Sequence, residues 1–233
     1  MRHRSLSFAS VALCLLCAGN AAPAESNIVP LDQEPRHHLV LQNESLRVFD
    51  TRIPPGDTTL YHRHERDSVY VLISGTSNLV TEQLGKPLKT LSAKPGDVFF
   101  GEHTKTPLVH RLSNLSGEEH HVLDIEIIAG QPSSSEPLAA LPQRHLLILE
   151  NARVRVSRVI LVNEEFLRVN FPAMPFGVMV VLTGSRAGIA KDGATSQAVD
   201  VAPGWFYAHD HRASLQIRNE ADDRLELINV EIK

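Results

Sequence analysis

Apolar residues occur along this chain in short runs that alternate with turn-forming residues. The runs at 46–53, 68–73, 97–100 and 121–127 are rich in Val, Ile, Leu and Phe. Gly, Pro, Asn and Asp separate such runs at intervals of roughly 8–12 residues, and only residues 136–141 hint at a helical turn. Short, evenly spaced runs are typical of antiparallel barrels, so the pattern predicts an all-β fold.

The pattern repeats once along the chain. Residues 36–48 align with residues 144–156 at an offset of 108, and seven of the thirteen positions are identical. Further matches follow in the same order and pair 71–75 with 180–184 and Asn114 with Asn219. The repeat therefore predicts two tandem small antiparallel β-barrels of the same design.

Composition suggests where these units begin and end. We expect a first barrel at 36–129 and a second at 144–233. Between them, residues 130–143 contain Pro132, Pro137 and three consecutive serines, a composition typical of a linker.

The N-terminus is typical of a signal peptide. In residues 1–24, two arginines precede an apolar run at 6–18 and a series of small residues. This run is too short to cross a bilayer comfortably and no later stretch approaches about 18 consecutive apolar residues, so no membrane anchor is expected. Both cysteines, Cys14 and Cys17, lie in this leader, and the mature chain keeps none for a disulfide or a zinc site. We expect an exported chain, periplasmic or secreted.

Composition also narrows the class of partner. Among 233 residues, 42% are hydrophobic and 21% are charged, as in ordinary soluble globular proteins. The 23 Lys and Arg against 27 Asp and Glu give a net charge of −4 without a basic stripe, which argues against a nucleic-acid partner. A small-molecule substrate is the expected partner, and pairing of sheet edges would allow a homo-oligomer.

Three histidines of the first unit form a candidate metal site. His62 and His64 are two residues apart, so on a strand both imidazoles point to the same face. His110 begins a later strand of the same unit, and an antiparallel barrel would bring that strand opposite the first. Three neutral imidazoles suit iron, copper, nickel or zinc and leave positions open for substrate or dioxygen.

The spacing of these residues resembles the cupin superfamily. The first cupin motif, a glycine followed after five residues by His-x-His and closed by a second glycine, matches Gly56, His62, His64 and Gly75. The second motif ends in a histidine and an asparagine separated by three residues, and His110 and Asn114 fit it.

Two departures from the cupin pattern bear on the site. The usual carboxylate of the first motif falls on Ser68 or Val69, so the glutamate is missing, and the second motif keeps Pro107 but lacks its glycine. The resemblance covers nearly all of the mature chain as two copies, an arrangement called a bicupin. A fourth metal ligand is therefore left open between water and protein, and Glu65 and Asp67 are nearest but lie on the face opposite His64 in a regular strand.

The second unit serves as an internal comparison. Its positions equivalent to His62, His64 and His110 are Phe171, Ala173 and Leu215, so all three candidate ligands are replaced by apolar residues together. This predicts one metal site in the first barrel and a packed, metal-free second barrel.

The other histidines are weaker candidates. The adjacent pairs His37-His38 and His120-His121 point opposite ways on a strand and are not expected to share an ion. The spacing of His209 and His211 allows a second metal site, and His211 aligns with His103. No acid–base residue is assigned, although five side chains flank the site: Tyr61, Tyr70, Glu102, His103 and Arg111.

The resemblance implies several classes of function, because cupins include dioxygenases, decarboxylases, isomerases, lyases and binding proteins. Cupins without the glutamate include thiol dioxygenases and a diketone-cleaving dioxygenase, so the first hypothesis is a metal-dependent dioxygenase acting on a small molecule. The cofactor is then a divalent transition metal, with Fe(II) favoured and Cu, Ni, Mn or Zn open. The alternatives are a metal-dependent lyase, decarboxylase or isomerase, and a non-catalytic protein that binds a small molecule or a metal.

Overall fold

A computed structural model describes residues 28–75, 77–128, 145–169, 176–210 and 214–233. The predicted leader (1–24), linker (130–143) and helical turn (136–141) lie outside these ranges. Within them the chain forms β-strands and one 3₁₀ turn, Leu31–Gln33. No helix in this part of the chain has the length and apolar character needed to cross a membrane.

The first unit contributes ten strands. They are β1 Val29–Pro30, β2 His37–Gln42, β3 Leu46–Ile53, β4 His62–His64, β5 Ser68–Ser74, β6 Leu79–Gln83, β7 Lys89–Leu91, β8 Val98–Gly101, β9 Leu108–Asn114 and β10 His120–Ile127.

The second unit contributes nine strands to the described structure. They are β11 His145–Glu150, β12 Val154–Leu161, β13 Phe166–Val169, β14 Phe176–Thr183, β15 Arg186–Lys191, β16 Gln197–Asp200, β17 Phe206–Asp210, β18 Leu215–Asn219 and β19 Leu225–Ile232.

Each unit consists of two sheets, and the two units share one strand order. The sheet that faces the other unit is called the inner sheet, and the other is called the outer sheet. The inner sheets run β2-β3-β10-β5-β8 and β11-β12-β19-β14-β17, while the outer sheets run β1-β4-β9-β6-β7 and β13-β18-β15-β16. Every strand pair is antiparallel except β1 with β4, among the strands that the structure describes. The predicted all-β fold with antiparallel sheets is confirmed.

The largest apolar core lies where the two inner sheets face each other. Every residue of β10 and of β19 is buried, because one face of each strand packs inside its own barrel and the other packs against the partner barrel. This inter-barrel core includes Val48, Val71 and Ile125 from the first unit and Val156, Val178 and Val230 from the second.

The interiors of the two barrels differ in chemistry. The second barrel is filled by aliphatic side chains such as Leu161, Leu167, Met179 and Ile217, and Leu215 lies among them where the first unit has His110. The equivalents of His62 and His64, Phe171 and Ala173, lie outside the described residues. In the first barrel, buried histidines occupy the space between the two sheets.

Both units close a turn with the same buried asparagine. The Asn114 side-chain amide donates to the carbonyls of Ile53 and Glu118 at 2.8 Å each. The Asn219 amide donates to Leu161 and Asp223 at 3.1 and 2.6 Å. The equivalence predicted for these two residues therefore extends to their hydrogen bonds.

Candidate metal centre

The structure brings His62, His64 and His110 together inside the first barrel. His62 and His64 alternate with the exposed Arg63 on β4, so both rings point inward, and they are 0% and 1% exposed. His110 on β9 pairs directly with His62 across the outer sheet. The His110 ring centroid lies 4.6 Å from that of His62 and 5.1 Å from that of His64, and the Nε2 atoms of His64 and His110 are 3.1 Å apart.

A fourth histidine, His37, joins this cluster from the inner sheet. It is buried on β2, while its neighbour His38 is exposed. The His37 ring centroid lies 4.5 Å from that of His62, and one ring nitrogen from each of His37, His62 and His64 lies within 4.8 Å of the others. The sequence shows only that His37 and His38 face opposite ways, since the contact between β2 and β4 depends on how the two sheets pack.

Each of the four rings is held through its Nδ1 atom. His62 Nδ1 bonds the Leu60 carbonyl at 2.9 Å, and His110 Nδ1 meets the Thr81 hydroxyl at 3.1 Å. His64 Nδ1 lies 3.2 Å from the Tyr70 hydroxyl, and His37 Nδ1 bonds the Glu34 carboxylate at 2.5 Å. Partners at Nδ1 fix the ring orientation and leave Nε2 as the ligand atom, as is usual around metal-binding histidines.

Burial keeps the predicted ligands neutral. It lowers the pKa of His62 to about 4 and the pKa values of His64 and His110 well below the ordinary histidine range, and the neighbouring histidines lower all three further. Neutral imidazoles offer a lone pair to a cation, and this is the protonation state that metal binding requires.

Two further groups connect the cluster with its surroundings. The Tyr70 hydroxyl lies 2.9 Å from His103 Nε2 as well as 3.2 Å from His64 Nδ1. On the other side, an oxygen of the buried Asp124 carboxyl lies 3.5 Å from His64 Nδ1. Burial raises the pKa of Asp124 well above its ordinary value, and the charge of Glu126 raises it further.

The cluster meets the requirements of a transition metal site. His62 Nε2 is buried and has no hydrogen-bond partner in the part of the chain that the structure describes. A buried polar atom of this kind is costly unless something binds it. A divalent ion about 2.1 Å from each nitrogen would satisfy it, and the 3.1 Å separation of His64 and His110 suits two ligands of one ion.

The two carboxylates nearest to His64 in sequence have other partners. The Asp67 carboxylate accepts from the Thr104 N–H at 3.0 Å and pairs with Arg153 at 3.3 Å. Glu65 is exposed and lies 3.6 Å from Arg63. Neither joins the histidine cluster.

Of the five predicted flanking residues, Tyr70 and His103 contact the cluster. Arg111 instead stacks on the Tyr61 ring at 4.9 Å and pairs with Glu82, while Glu102 pairs with Lys105. His103 also lines a cavity of about 510 Å³ whose wall includes Gln83, Lys86 and Val109. His103 therefore borders this cavity, and the Tyr70 hydroxyl connects His103 with His64.

The second metal site allowed by His209 and His211 is only partly described. His209 is buried with its ring over Gly177, while His211 lies outside the described residues. In the described ranges, the histidine cluster is the one place where three metal-binding side chains bring ligand atoms within 4.8 Å of one another, and these three are His37, His62 and His64.

No protein-family model and no curated protein matches the sequence. Solved structures do match. A cupin 2 conserved barrel domain protein from Leptotrichia buccalis is 11% identical over 84% of this chain and 87% of its own, with a TM-score of 0.51. A salicylate 1,2-dioxygenase from Pseudaminobacter salicylatoxidans is 11% identical over 81% and 71%, with a TM-score of 0.55. An oxalate decarboxylase from Bacillus subtilis is 10% identical over 81% and 69%, with a TM-score of 0.57.

At these identities the likeness shows the fold, and the fold is that of cupin β-barrel proteins.

Proposed function

We propose that the first barrel holds one divalent transition metal ion on His62, His64 and His110, with Fe(II) favoured, and catalyses the oxidation of a small molecule by dioxygen. The observation that carries this proposal is the buried Nε2 of His62, which lacks a hydrogen-bond partner in the described structure although it lies among neutral imidazoles. When bound, such an ion supplies Lewis acidity and one-electron chemistry toward dioxygen.

The protein's own residues would hold the reactants and exclude water. Three neutral ligands leave the ion its full positive charge, which favours an anionic or chelating substrate. The cavity lined by His103 offers an approach, and the Tyr70 hydroxyl joins His103 to His64, 2.9 Å from His103 Nε2 and 3.2 Å from His64 Nδ1. Tyr70 and His103 are therefore the side chains we expect to orient His64, and His103 is the one of the two that lines the cavity.

A dioxygenase and a decarboxylase both occur among the solved structures with this fold. The alternative function is accordingly a decarboxylation, lyase or isomerase reaction in which the ion acts as a Lewis acid alone. Consumption of dioxygen during turnover separates the two, because the Lewis-acid reactions need none.

The first test is elemental analysis of the full chain purified without added metal. We expect about one equivalent of a transition metal in the parent, none in a His62→Ala, His64→Ala double variant, and the parent content in His38→Ala, an exposed histidine of the same barrel. A parent that neither carries a metal nor takes one up on reconstitution would refute the proposal and favour a non-catalytic protein that binds a small molecule.

A further inference from the structure

The segment before the first barrel lies against the histidine strand. β1 pairs in parallel with β4, placing Val29 beside His62, and the Val29 N–H donates to the Tyr61 carbonyl at 2.9 Å. The 3₁₀ turn follows and leads to Glu34, which is 2% exposed, and then to His37 at the start of β2. This segment therefore delivers two buried polar residues to the metal centre from outside the two cupin motifs.

Glu34 is fixed by three hydrogen bonds. Its Oε2 accepts from the Arg36 N–H at 2.8 Å and bonds His37 Nδ1 at 2.5 Å, while its Oε1 accepts from the Leu60 N–H at 3.1 Å. Both carboxylate oxygens of Glu34 already accept backbone N–H groups, so Oε2 is the acceptor in its 2.5 Å contact with His37 and Nδ1 of His37 is the donor. This directs the lone pair of His37 to Nε2.

One residue anchors both His37 and His62. The Leu60 N–H holds Glu34, and through it His37, while the Leu60 carbonyl bonds His62 Nδ1 at 2.9 Å. The two rings are thereby fixed relative to the same backbone residue, with their centroids 4.5 Å apart.

The residues at the position of the missing motif glutamate, Ser68 and Val69, do not supply a metal ligand. Val69 has no donor atom, and the Ser68 hydroxyl donates to the Arg66 carbonyl at 3.2 Å. A carboxylate–histidine pair on a different strand approaches the same cluster instead.

We propose that His37 is a fourth protein ligand of the metal ion and that Glu34 is the positioning residue that orients it. This inference rests on the proposed metal site and adds to it a nitrogen ligand from β2. The ion would then have four neutral nitrogen ligands, and one fewer position would stay open to substrate than with three.

Cobalt(II) added to the metal-stripped full chain tests this, because its visible absorption changes with the number and type of ligands. The variants are His37→Ala, His37→Gln, Glu34→Gln, the His62→Ala, His64→Ala double variant, and His38→Ala as the matched control on the same strand. Circular dichroism and thermal unfolding of each metal-free variant show whether it folds. If His37→Ala does not fold, His37→Gln, which keeps more of the side-chain volume, takes its place.

We expect His37→Ala and His37→Gln to weaken cobalt(II) binding at least tenfold and to change the absorption bands, while His38→Ala leaves both unchanged. Glu34→Gln should weaken binding by roughly tenfold with the band pattern kept, since the ligand remains but loses its orienting partner.

A folded His37 variant with the parent's affinity and spectrum would overturn the inference while leaving the three-histidine site intact, provided that the His62, His64 double variant loses cobalt. If the parent itself binds no cobalt, or the double variant binds as the parent does, the proposed metal site fails and this inference fails with it.

Discussion

At the scale of single residues, burial sets the acid–base behaviour of Glu231. This side chain on β19 is 0% exposed and faces Arg155 in the strand register. Burial raises its pKa to about 7, although the Asn229 amide, 3.0 Å from Oε1, and Arg155 both act in the opposite direction. Its folded-state pKa therefore exceeds its unfolded value.

This raised pKa predicts that Glu231 makes the fold less stable as pH rises. The folded state holds the proton more tightly, so the contribution is fully present below about pH 4.5 and is lost as pH rises through 7. Relative to Glu231→Gln, the free energy of unfolding of the parent should fall by on the order of 2 kcal/mol between pH 5 and pH 8. Urea unfolding at several pH values measures it, with Glu44→Gln, at an exposed carboxylate, as the control. Parallel pH profiles for the parent and Glu231→Gln would contradict the prediction.

The residues of the histidine cluster are only partly predictable from the sequence. Alternation along a strand and the cupin-like spacing were enough to single out His62, His64 and His110. His37, Glu34 and Asp124 carry no such signal, because their approach to the cluster depends on the packing of the inner sheet and the N-terminal segment onto β4.

At the scale of elements, Asn114 and Asn219 stabilise the ends of two equivalent strands, β9 and β18. Each amide satisfies two backbone carbonyls, and each Oδ1 accepts a backbone N–H, from Ser116 at 3.0 Å and from Ala221 at 3.1 Å. Removing the side chain leaves several buried backbone groups without partners.

We therefore expect Asn114→Ala and Asn219→Ala each to lower the free energy of unfolding by roughly 2–4 kcal/mol. Ser113→Ala, at the neighbouring and less buried position of β9, should cost less than about 1 kcal/mol. Chemical unfolding of the three variants measures these values. An Asn219→Ala variant as stable as the parent would show that the second turn does not need its amide.

Most strands follow from the apolar pattern, while the smallest elements do not. The predicted run at 46–53 coincides with β3, and the run at 121–127 differs from β10 by a single residue, because apolar residues recur along the whole length of both strands. The two-residue strand β1 has no pattern to detect, and its parallel pairing with β4 depends on the long-range path of the chain.

At the scale of the whole molecule, the shared core between the inner sheets couples the two barrels. Ile125 and Ile228 lie in this core, both fully buried. The single tryptophan, Trp205, packs against the interior of the second barrel, so its fluorescence reports on that interior.

This coupling predicts that a change in the first barrel unfolds the second. Ile125→Ala should cost about 2–4 kcal/mol and shift the unfolding transition seen by Trp205 fluorescence to lower denaturant, in step with circular dichroism. Leu88→Ala, at a side chain 65% exposed, should leave it unchanged. A fluorescence transition at the same denaturant concentration in Ile125→Ala as in the parent would mean that the barrels unfold independently.

The repeat in the sequence predicted the architecture at this scale. It accounts for two units with one strand order. The domain limits at 36–129 and 144–233 stay predictions. The packing of one inner sheet against the other is not evident from the sequence. A strand buried on both faces has the same apolar pattern whether its own barrel or a second barrel packs on it.

Leu60 shows how a residue can matter to a site and leave no trace in its side chain. That side chain is 49% exposed, and the contacts to Glu34 and His62 come from its backbone N–H and carbonyl. Selection on the metal centre would thus place little constraint on the amino acid at position 60, apart from proline, which lacks the N–H that Glu34 requires. In related chains this position should vary freely, and a ranking of residues by evolutionary conservation would pass over the residue that fixes two of the four histidines.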